Sequence, residues 1–184
     1  MPRMARFTRE DWADAALALL AEGGPAAVAV EPTAVRLGAA KSSFYWLFGS
    51  RQALLGAALE RWERVQTEAV IPRLAAIADP AERLRTLTHA AAAATQNADL
   101  ALRLLVESDD PAVRTVVQRV SLRRLRVIEA AFCELGCPQP VARYYAAGMY
   151  AAYLGTAALR RADTAPGDTE AYIDALLAAF GVPA

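Results

Sequence analysis

The chain has 184 residues and a mass of 19.7 kDa, with 20 basic and 20 acidic side chains, so its formal net charge is zero. This length predicts one domain, or one domain plus a small module, with a substantial core. The zero net charge excludes a histone-like or ribosomal protein, and the hydrophobic fraction of 55% excludes intrinsic disorder.

The first third of the chain predicts three helices. Thr8 and Asp11 have the spacing of a capping box, so a first helix should run from there to about Glu22 and end at Gly23-Gly24-Pro25. Two short helices are expected at 32–37 and 41–48. Gly38 lies between them, where glycine commonly ends a helix.

A long helix should begin at about Arg51, because apolar residues recur there at helical spacing. Pro72 is expected to kink or break this helix, since proline lacks a backbone donor. Asp79 and Asp110 each precede a proline, which predicts two helix starts. Asp99 is expected to cap a short helix between them.

The last part of the chain continues the helical pattern. The helix after Asp110 should end at Gly136, the next should run from about 138 or 140 to 161, and a last one should end at Gly181. No segment alternates apolar and polar residues as a strand does. The sequence therefore predicts an all-α protein of about nine helices.

Enzyme and metal chemistry have no motif in this sequence. The single histidine, His89, and the two cysteines, Cys133 and Cys137, do not match a common zinc spacing, and reduced thiols of a cytoplasmic protein are the expectation. No phosphate-binding glycine loop or nucleophile elbow is present, so we expect neither an enzyme nor a cofactor. The longest charge-free stretch, 144–159, is shorter than the roughly 20 residues of a membrane span, and no signal peptide is evident.

Residues 33–45 have the composition of a helix-turn-helix, with small residues where two helices cross and glycine at the turn. The outward face of its second helix offers short donors and flat aromatic groups suited to base edges and phosphates. Phe44 and Phe48, four positions apart, should anchor its inner face. A cation in the first turn of a helix opposes the helix dipole, which favours a phosphate-binding role for Arg51. The candidate DNA-binding residues are Thr33, Lys41, Ser42, Ser43, Tyr45, Trp46 and Arg51.

With these residues the sequence resembles the N-terminal domain of the tetracycline-repressor (TetR) family of transcriptional regulators. The resemblance covers Phe7 to about Leu55 and rests on the alanine-rich first helix followed by Gly-Gly, on Leu37-Gly38, and on the string Tyr-x-x-Phe-x-Ser-Arg/Lys-x-x-Leu that begins at Tyr45. It implies a DNA-binding domain at 1–50 and a ligand-binding and dimerisation domain at 51–184.

The family resemblance also implies a function. A homodimeric repressor would leave a near-palindromic operator when a small, mostly apolar effector binds. Four residues depart from the family pattern: Glu31, Thr33, Leu47, and Ala40, which cannot cap the second helix of the motif. The alternative is a helical small-molecule-binding or interaction module that has lost DNA binding. Arg3, Arg6 and Arg9 are candidates for an arm that contacts the DNA backbone or minor groove.

The remaining helices offer candidates for dimerisation and effector binding. Small residues along 141–159, with Tyr150, Tyr153 and Leu154 around them and Leu176, Leu177 and Phe180 in the last helix, predict a dimer interface. Trp62, Tyr145 and Met149 are candidates for an apolar wall of the effector site, and His89 for orienting a polar group of the effector. The alternatives are core packing for Trp62, which lies on the buried stripe of its helix, and no role for His89. No charged residue is clearly assigned to this site, so we expect a mostly apolar or aromatic effector. We expect a solvated face for the arginines at 119, 123, 124 and 126.

Overall fold

The structure is a computed structural model in which residues 7–106 and 109–183 are described. The predicted arm residues Arg3 and Arg6 lie outside these ranges. The described helices are α1 (Arg9–Ala27), α2 (Val30–Leu37), α3 (Lys41–Leu47), α4 (Arg51–Glu63), α5 (Val70–Ala75), α6 (Pro80–Ala93), α7 (Thr95–Val106), α8 (Pro111–Glu134), α9 (Gln139–Arg161) and α10 (Thr169–Ala179).

The predicted all-α fold is confirmed. A π-helical segment, Arg64–Glu68, joins α4 to α5, so these three pieces form one continuous rod. Counted this way, the described residues form nine helical rods and contain no strand, which agrees with the sequence prediction.

Local capping signals placed most helix starts correctly. Asp11 N donates to the Thr8 hydroxyl at 3.1 Å and Thr8 N donates to the Asp11 carboxylate at 2.7 Å, which completes the predicted capping box. Asp79 and Asp110 cap α6 and α8 as expected. The predicted end of α1 is an interruption, because Gly24 adopts φ 72° and ψ −169° and the chain then makes one more turn to Ala27.

The interruption expected at Pro72 is present, but it lies one turn earlier in the chain. Ala69 N donates to Arg64 O at 2.9 Å, which is the wider spacing of a π turn. Proline lacks an N–H, and its ring crowds the carbonyl four residues before it, so a widened turn directly upstream accommodates the ring.

The predicted cap at Asp99 is wrong. The α6 helix ends at Ala93, its C-cap Ala94 has the non-helical angles φ −85° and ψ 57°, and α7 then begins at Thr95. Asp99 therefore lies inside α7, where its carboxylate is 3.9 Å from Arg160 Nη2. The alanine run before Thr95 hides the break, because nothing in its composition ends a helix.

Two clusters of buried side chains form the core. The first contains Trp12, Phe44 and Trp62 and joins α1–α4 to α7 and α8. The second contains Phe132 and Met149 and joins α6, α8, α9 and α10. Because α4 packs against α1 in the first cluster, any movement of α4 reaches the N-terminal helices directly. The division of the chain at residues 50 and 51 stays a prediction.

A buried ion pair fixes α4 to α8. The side chain of Glu63 is 8% exposed and accepts hydrogen bonds from Arg119, one of them from Nε at 2.9 Å, while the Arg119 side chain is half exposed. The bond from Arg119 lowers the pKa of the Glu63 carboxyl group, and burial opposes that change.

We predict that Glu63→Gln lowers the free energy of unfolding at pH 7 by about 1–3 kcal/mol, because a charged hydrogen bond is lost in a buried place. The wild-type contribution should be complete above the unfolded pKa of about 4.3 and disappear as the pH falls through the lower folded pKa. Urea unfolding at several pH values measures both effects. The control is Glu68→Gln, since Glu68 pairs with Arg123 at the surface and should contribute about 0–1 kcal/mol. Equal losses in the two variants would contradict the prediction.

Candidate nucleic-acid interface and internal cavity

The turn between α2 and α3 has the geometry of a helix-turn-helix. Gly38 adopts φ 67° and ψ 26°, a left-handed conformation that favours glycine, and its N–H donates to Val35 O at 3.1 Å. Ala39 N donates to Ala34 O at 2.9 Å and closes the end of α2. The sequence prediction of a helix end at Gly38 is confirmed.

Three aromatic rings position α3. Phe44 and Phe48 lie on its inner face and stack on each other, with ring centroids 5.6 Å apart. Trp12 of α1 lies 5.6 Å from Phe44 and 6.5 Å from Phe48. All three side chains are at most 2% exposed, so the orientation of α3 follows from buried packing.

The outer face of α3 carries most of the predicted DNA-binding residues. Tyr45 is 71% exposed and Trp46 is 90% exposed, and Lys41 and Ser42 are exposed beside them. Ser43 is half-buried, and its hydroxyl donates to Ala40 O at 2.7 Å. Large aromatic side chains left in water at one helix face are typical of an interaction surface.

Two predicted phosphate-binding cations have protein partners at this face. Lys41 Nζ donates to Glu31 Oε1 at 2.7 Å, and this bond lowers the pKa of the Glu31 carboxyl group. Arg51 Nη2 donates to Pro25 O at 2.5 Å, which places its guanidinium beside the end of α1. Both side chains belong to exposed residues, so both cations remain accessible from solvent.

Thr33 and Arg9 do not lie as predicted. Thr33 is completely buried and its hydroxyl donates to Ala29 O at 2.7 Å, so it stabilises the first turn of α2 and is removed from the DNA-binding set. Arg9 lies over the Phe48 ring at 4.3 Å and donates to Leu47 O, so it is docked on α3 and does not extend as an arm. Both corrections arise from long-range packing that local patterns do not encode.

A cavity of about 180 Å³ lies among the helices that follow α3. Its walls come from the π-helical segment and from α5 to α10, and they are mostly aliphatic and alanine side chains. Of the predicted effector-site residues, Met149 lines the cavity. This placement agrees with the prediction of an apolar wall.

Trp62, Tyr145 and His89 are corrections to the predicted effector site. Trp62 is buried in the first core cluster, and its Nε1 donates to Asn97 Oδ1 at 3.0 Å. Tyr145 packs edge-on against Phe132 and Phe180, at 5.3 and 5.6 Å. His89 is half-buried on α6, and its neighbours Thr88 and Ala90 line the cavity in its place.

Two arginines line the cavity, to which the sequence assigned no charged residue clearly. Arg124 Nε donates to Thr67 Oγ1 at 3.1 Å, and its Nη2 donates to Gln66 O at 3.3 Å. Arg160 extends from the end of α9 into the same space. Arg124 therefore does not belong to a solvated arginine face, unlike the exposed Arg126.

The predicted dimer surface divides between the two sides of α9. Ala147, Ala151 and Ala158 are exposed along one face, together with Tyr144. The side chains expected to surround them turn inward: Tyr150, Tyr153, Leu176 and Phe180 pack within the chain, and Leu177 is buried. A Cβ added at Gly148 would come within 2.8 Å of the Phe180 ring, so this glycine serves internal packing.

Among the described residues, the helices are too short or too polar to cross a bilayer. Within the same ranges, no three side chains of His, Cys, Asp or Glu come together as a metal site would require. The thiol groups of Cys133 and Cys137 are free.

Comparison with known proteins agrees with this architecture. Residues 13–58 match the family model of bacterial regulatory proteins, tetR family, which confirms the resemblance found in the sequence. No curated protein matches the sequence of the chain.

Solved structures match over nearly the whole chain. A protein of Streptomyces coelicolor A3(2) described as a transcriptional regulator is 24% identical, with a TM-score of 0.69 over 92% of this chain and 95% of its own. The transcriptional regulator FadR of Bacillus subtilis, solved in complex with stearoyl-CoA, is 17% identical, with a TM-score of 0.70 over 94% and 97%. A protein of Rhodococcus sp. described as a TetR-family transcriptional regulator is 20% identical, with a TM-score of 0.67 over 95% and 96%. These likenesses establish a shared fold.

Proposed function

We propose that this chain is a DNA-binding transcriptional regulator, because residues 13–58 match the family model of bacterial regulatory proteins, tetR family. The observation that carries the proposal is the outer face of α3, where Tyr45 and Trp46 stand in water beside Lys41. This face fits a major groove, where aromatic and hydroxyl groups meet base edges and cations meet phosphates. The chain acts in the cytoplasm as a binding protein and not as an enzyme.

The regulator is a repressor that leaves its operator when a small molecule fills the cavity. Two features support this proposal: the mostly apolar cavity and the bound stearoyl-CoA of the similar fold FadR. Arg124 lines the cavity and bonds to Thr67 and Gln66 in the π-helical segment that continues α4. A ligand that draws Arg124 away from this segment would shift α4, and α4 packs on α1 and follows α3 in the chain. Release follows only if ligand and DNA favour different positions of α4.

The second candidate function is a helical small-molecule-binding module without DNA binding. Two observations favour it, and the first is that α3 begins after Ala40, which supplies no side-chain hydrogen bond to the helix terminus. A good N-cap typically contributes about 1 kcal/mol to helix stability, so the first turn of α3 is less stable than that of a capped helix. Glu31 also places a carboxylate where DNA phosphates would approach Lys41.

A gel-shift assay with the DNA that flanks the chain's own gene separates the two functions. The repressor should bind a near-palindromic site, with half-sites about 10 base pairs apart or somewhat more, and competing random DNA should not displace it. The absence of any sequence-specific shift at low salt would favour the second candidate.

We further propose a two-fold homodimer formed through the exposed face of α9. Ala147, Ala151 and Ala158 allow close approach of a second backbone, and Tyr144 adds exposed apolar area beside them. A dimer would also present two copies of α3, as a near-palindromic site requires.

Ala151→Glu should weaken the dimer by about two orders of magnitude or more, because an uncompensated charge would be buried in the interface. Light scattering across a concentration series measures the change. The control is Ala21→Glu on the exposed side of α1, which should leave the mass unchanged. A wild-type chain that remains monomeric at micromolar concentration would contradict the proposal.

A further inference from the structure

We infer that the cavity binds a small apolar monocarboxylic acid, whose carboxylate is held by Arg124 and Arg160. The inference names the chemical class of the effector and rests on the proposed function for its regulatory meaning. Its basis is the charge, the hydrogen-bonding state and the size of the cavity.

The charge of the cavity favours a monoanion. Arg124 and Arg160 contribute two positive charges, and none of the described lining residues is acidic. Within the described ranges, the one carboxylate paired with either arginine is that of Asp99, which lies 3.9 Å from Arg160 Nη2. The local balance is therefore one net positive charge in an apolar surrounding, where an unneutralised charge is costly.

Two carboxylates at the ends of the π-helical segment are engaged by arginines outside the cavity. Glu63 is bonded to Arg119, and Glu68 is bonded to Arg123. Arg124 itself bonds to two neutral oxygens, Thr67 Oγ1 and Gln66 O. Its charge is thus free to attract a ligand anion.

Arg160 has an unsatisfied hydrogen-bond donor. Its Nη2 atom is buried and has no hydrogen-bond partner among the described residues, and the same is true of Asp99 Oδ1. At 3.9 Å the two atoms attract each other but are too far apart for a hydrogen bond. A carboxylate oxygen at Arg160 Nη2 would supply the missing charged bond, which is among the stronger polar interactions in proteins.

The two guanidinium groups act on the same part of the cavity. Arg124 lies 6.0 Å from the centre of the Tyr153 ring, and the Tyr153 hydroxyl accepts a bond from Asn97 Nδ2 at 3.2 Å. Burial raises the pKa of the Tyr153 hydroxyl, and the positive charges of Arg124 and Arg160 both lower this pKa. Arg124, Asn97 and Tyr153 therefore form a polar part of the cavity wall, and Arg160 lies close enough for its charge to act on the same hydroxyl.

The size of the cavity limits the apolar part of the ligand. Its volume is about 180 Å³. An apolar cavity of about 150 Å³ binds benzene, so this one suits a single aromatic ring or a short aliphatic chain. A coenzyme A thioester carries several phosphate charges, which one net positive charge does not balance.

Matched acids and amides test the inference on the full chain. Titration calorimetry with benzoate, benzamide, octanoate and octanamide should show that an acid binds at least about tenfold more tightly than its amide. In Arg160→Gln this preference should fall below about threefold, and Arg160→Lys should keep part of it because the charge remains. The control is Arg126→Gln, an exposed α8 arginine that does not line the cavity and should keep the full preference.

Three results would overturn the inference. They are an amide that binds as tightly as its acid, failure of both acids to bind, and octanoyl-CoA that binds more tightly than octanoate. The acid and amide comparison on the wild-type chain decides the question even if Arg160→Gln does not fold.

A parallel gel-shift assay distinguishes failure of this inference from failure of the proposed function. A chain that prefers acids without binding DNA contradicts the proposed function alone, and a chain that binds DNA without preferring acids contradicts this inference alone.

Discussion

Trp12→Ala should lower the free energy of unfolding by about 3–5 kcal/mol, the range for replacing a buried tryptophan or phenylalanine by alanine. The Trp12 side chain is completely buried, and its ring lies against Phe44 and Phe48 of α3. The substitution removes a large apolar area and leaves a cavity in the layer that positions α3, the proposed recognition helix. Urea unfolding followed by circular dichroism measures the loss.

Trp46→Ala is the matched control on α3 itself. Trp46 is 90% exposed, so its removal should change the free energy of unfolding by no more than about 0.5 kcal/mol. A Trp12→Ala loss below about 1 kcal/mol, or equal losses in the two variants, would contradict the packing described for this layer. The pair also separates folding from binding, since Trp46 lies on the proposed DNA-binding face.

The N-terminal motif could be predicted almost completely because its signals are local. A capping box, a glycine in a left-handed turn and aromatic residues four positions apart each depend on neighbours within one or two turns. Thr8, Gly38 and the pair Phe44 and Phe48 all lie as these patterns predict. Thr33 was misplaced, since a threonine that bonds to a carbonyl four residues earlier does not differ in sequence from an exposed one.

The cavity could not be predicted from local sequence patterns, because its walls come from several helices that are distant in sequence. Helical periodicity shows which face of a helix is buried but not whether that face meets a core or a cavity. Trp62 is an example. The apolar stripe of its helix is buried in the core, which was one of the two positions that the sequence allowed for this side chain. Arg124 was missed for the opposite reason. An arginine among other arginines on a long helix is typical of a solvated face, yet this one lines the cavity.

Substitutions on α3, the proposed recognition helix, should produce the largest functional effects. Tyr45→Ala should weaken binding to the operator by about 10- to 100-fold, since a good base contact contributes roughly 1–3 kcal/mol of discrimination. Its effect on random DNA should be much smaller, because non-specific binding depends on phosphates. Tyr45→Phe separates the hydroxyl from the ring, and unchanged operator affinity of Tyr45→Ala would contradict the assignment of α3 as the recognition helix.

Lys41 should act through phosphate, and its ion pair with Glu31 allows a test in both directions. Lys41→Ala should weaken binding to every sequence and lower the dependence of log K on log salt by about one unit. Glu31→Gln should have the opposite effect on affinity, because the carboxylate that holds Lys41 Nζ at 2.7 Å is neutralised. Both partners are more than half exposed, so the pair contributes at most about 1 kcal/mol and the gain should not exceed about fivefold.

The control for Lys41 is Arg73→Ala, an exposed cation on α5, which should leave the salt dependence unchanged. Gel shifts at four salt concentrations, on operator and on random DNA, give the slopes for all variants. If Glu31→Gln weakens binding, the carboxylate serves to orient Lys41 toward the phosphate. In that case the two residues act as one positioned pair, and the departure of Glu31 from the family pattern supports DNA binding instead of opposing it.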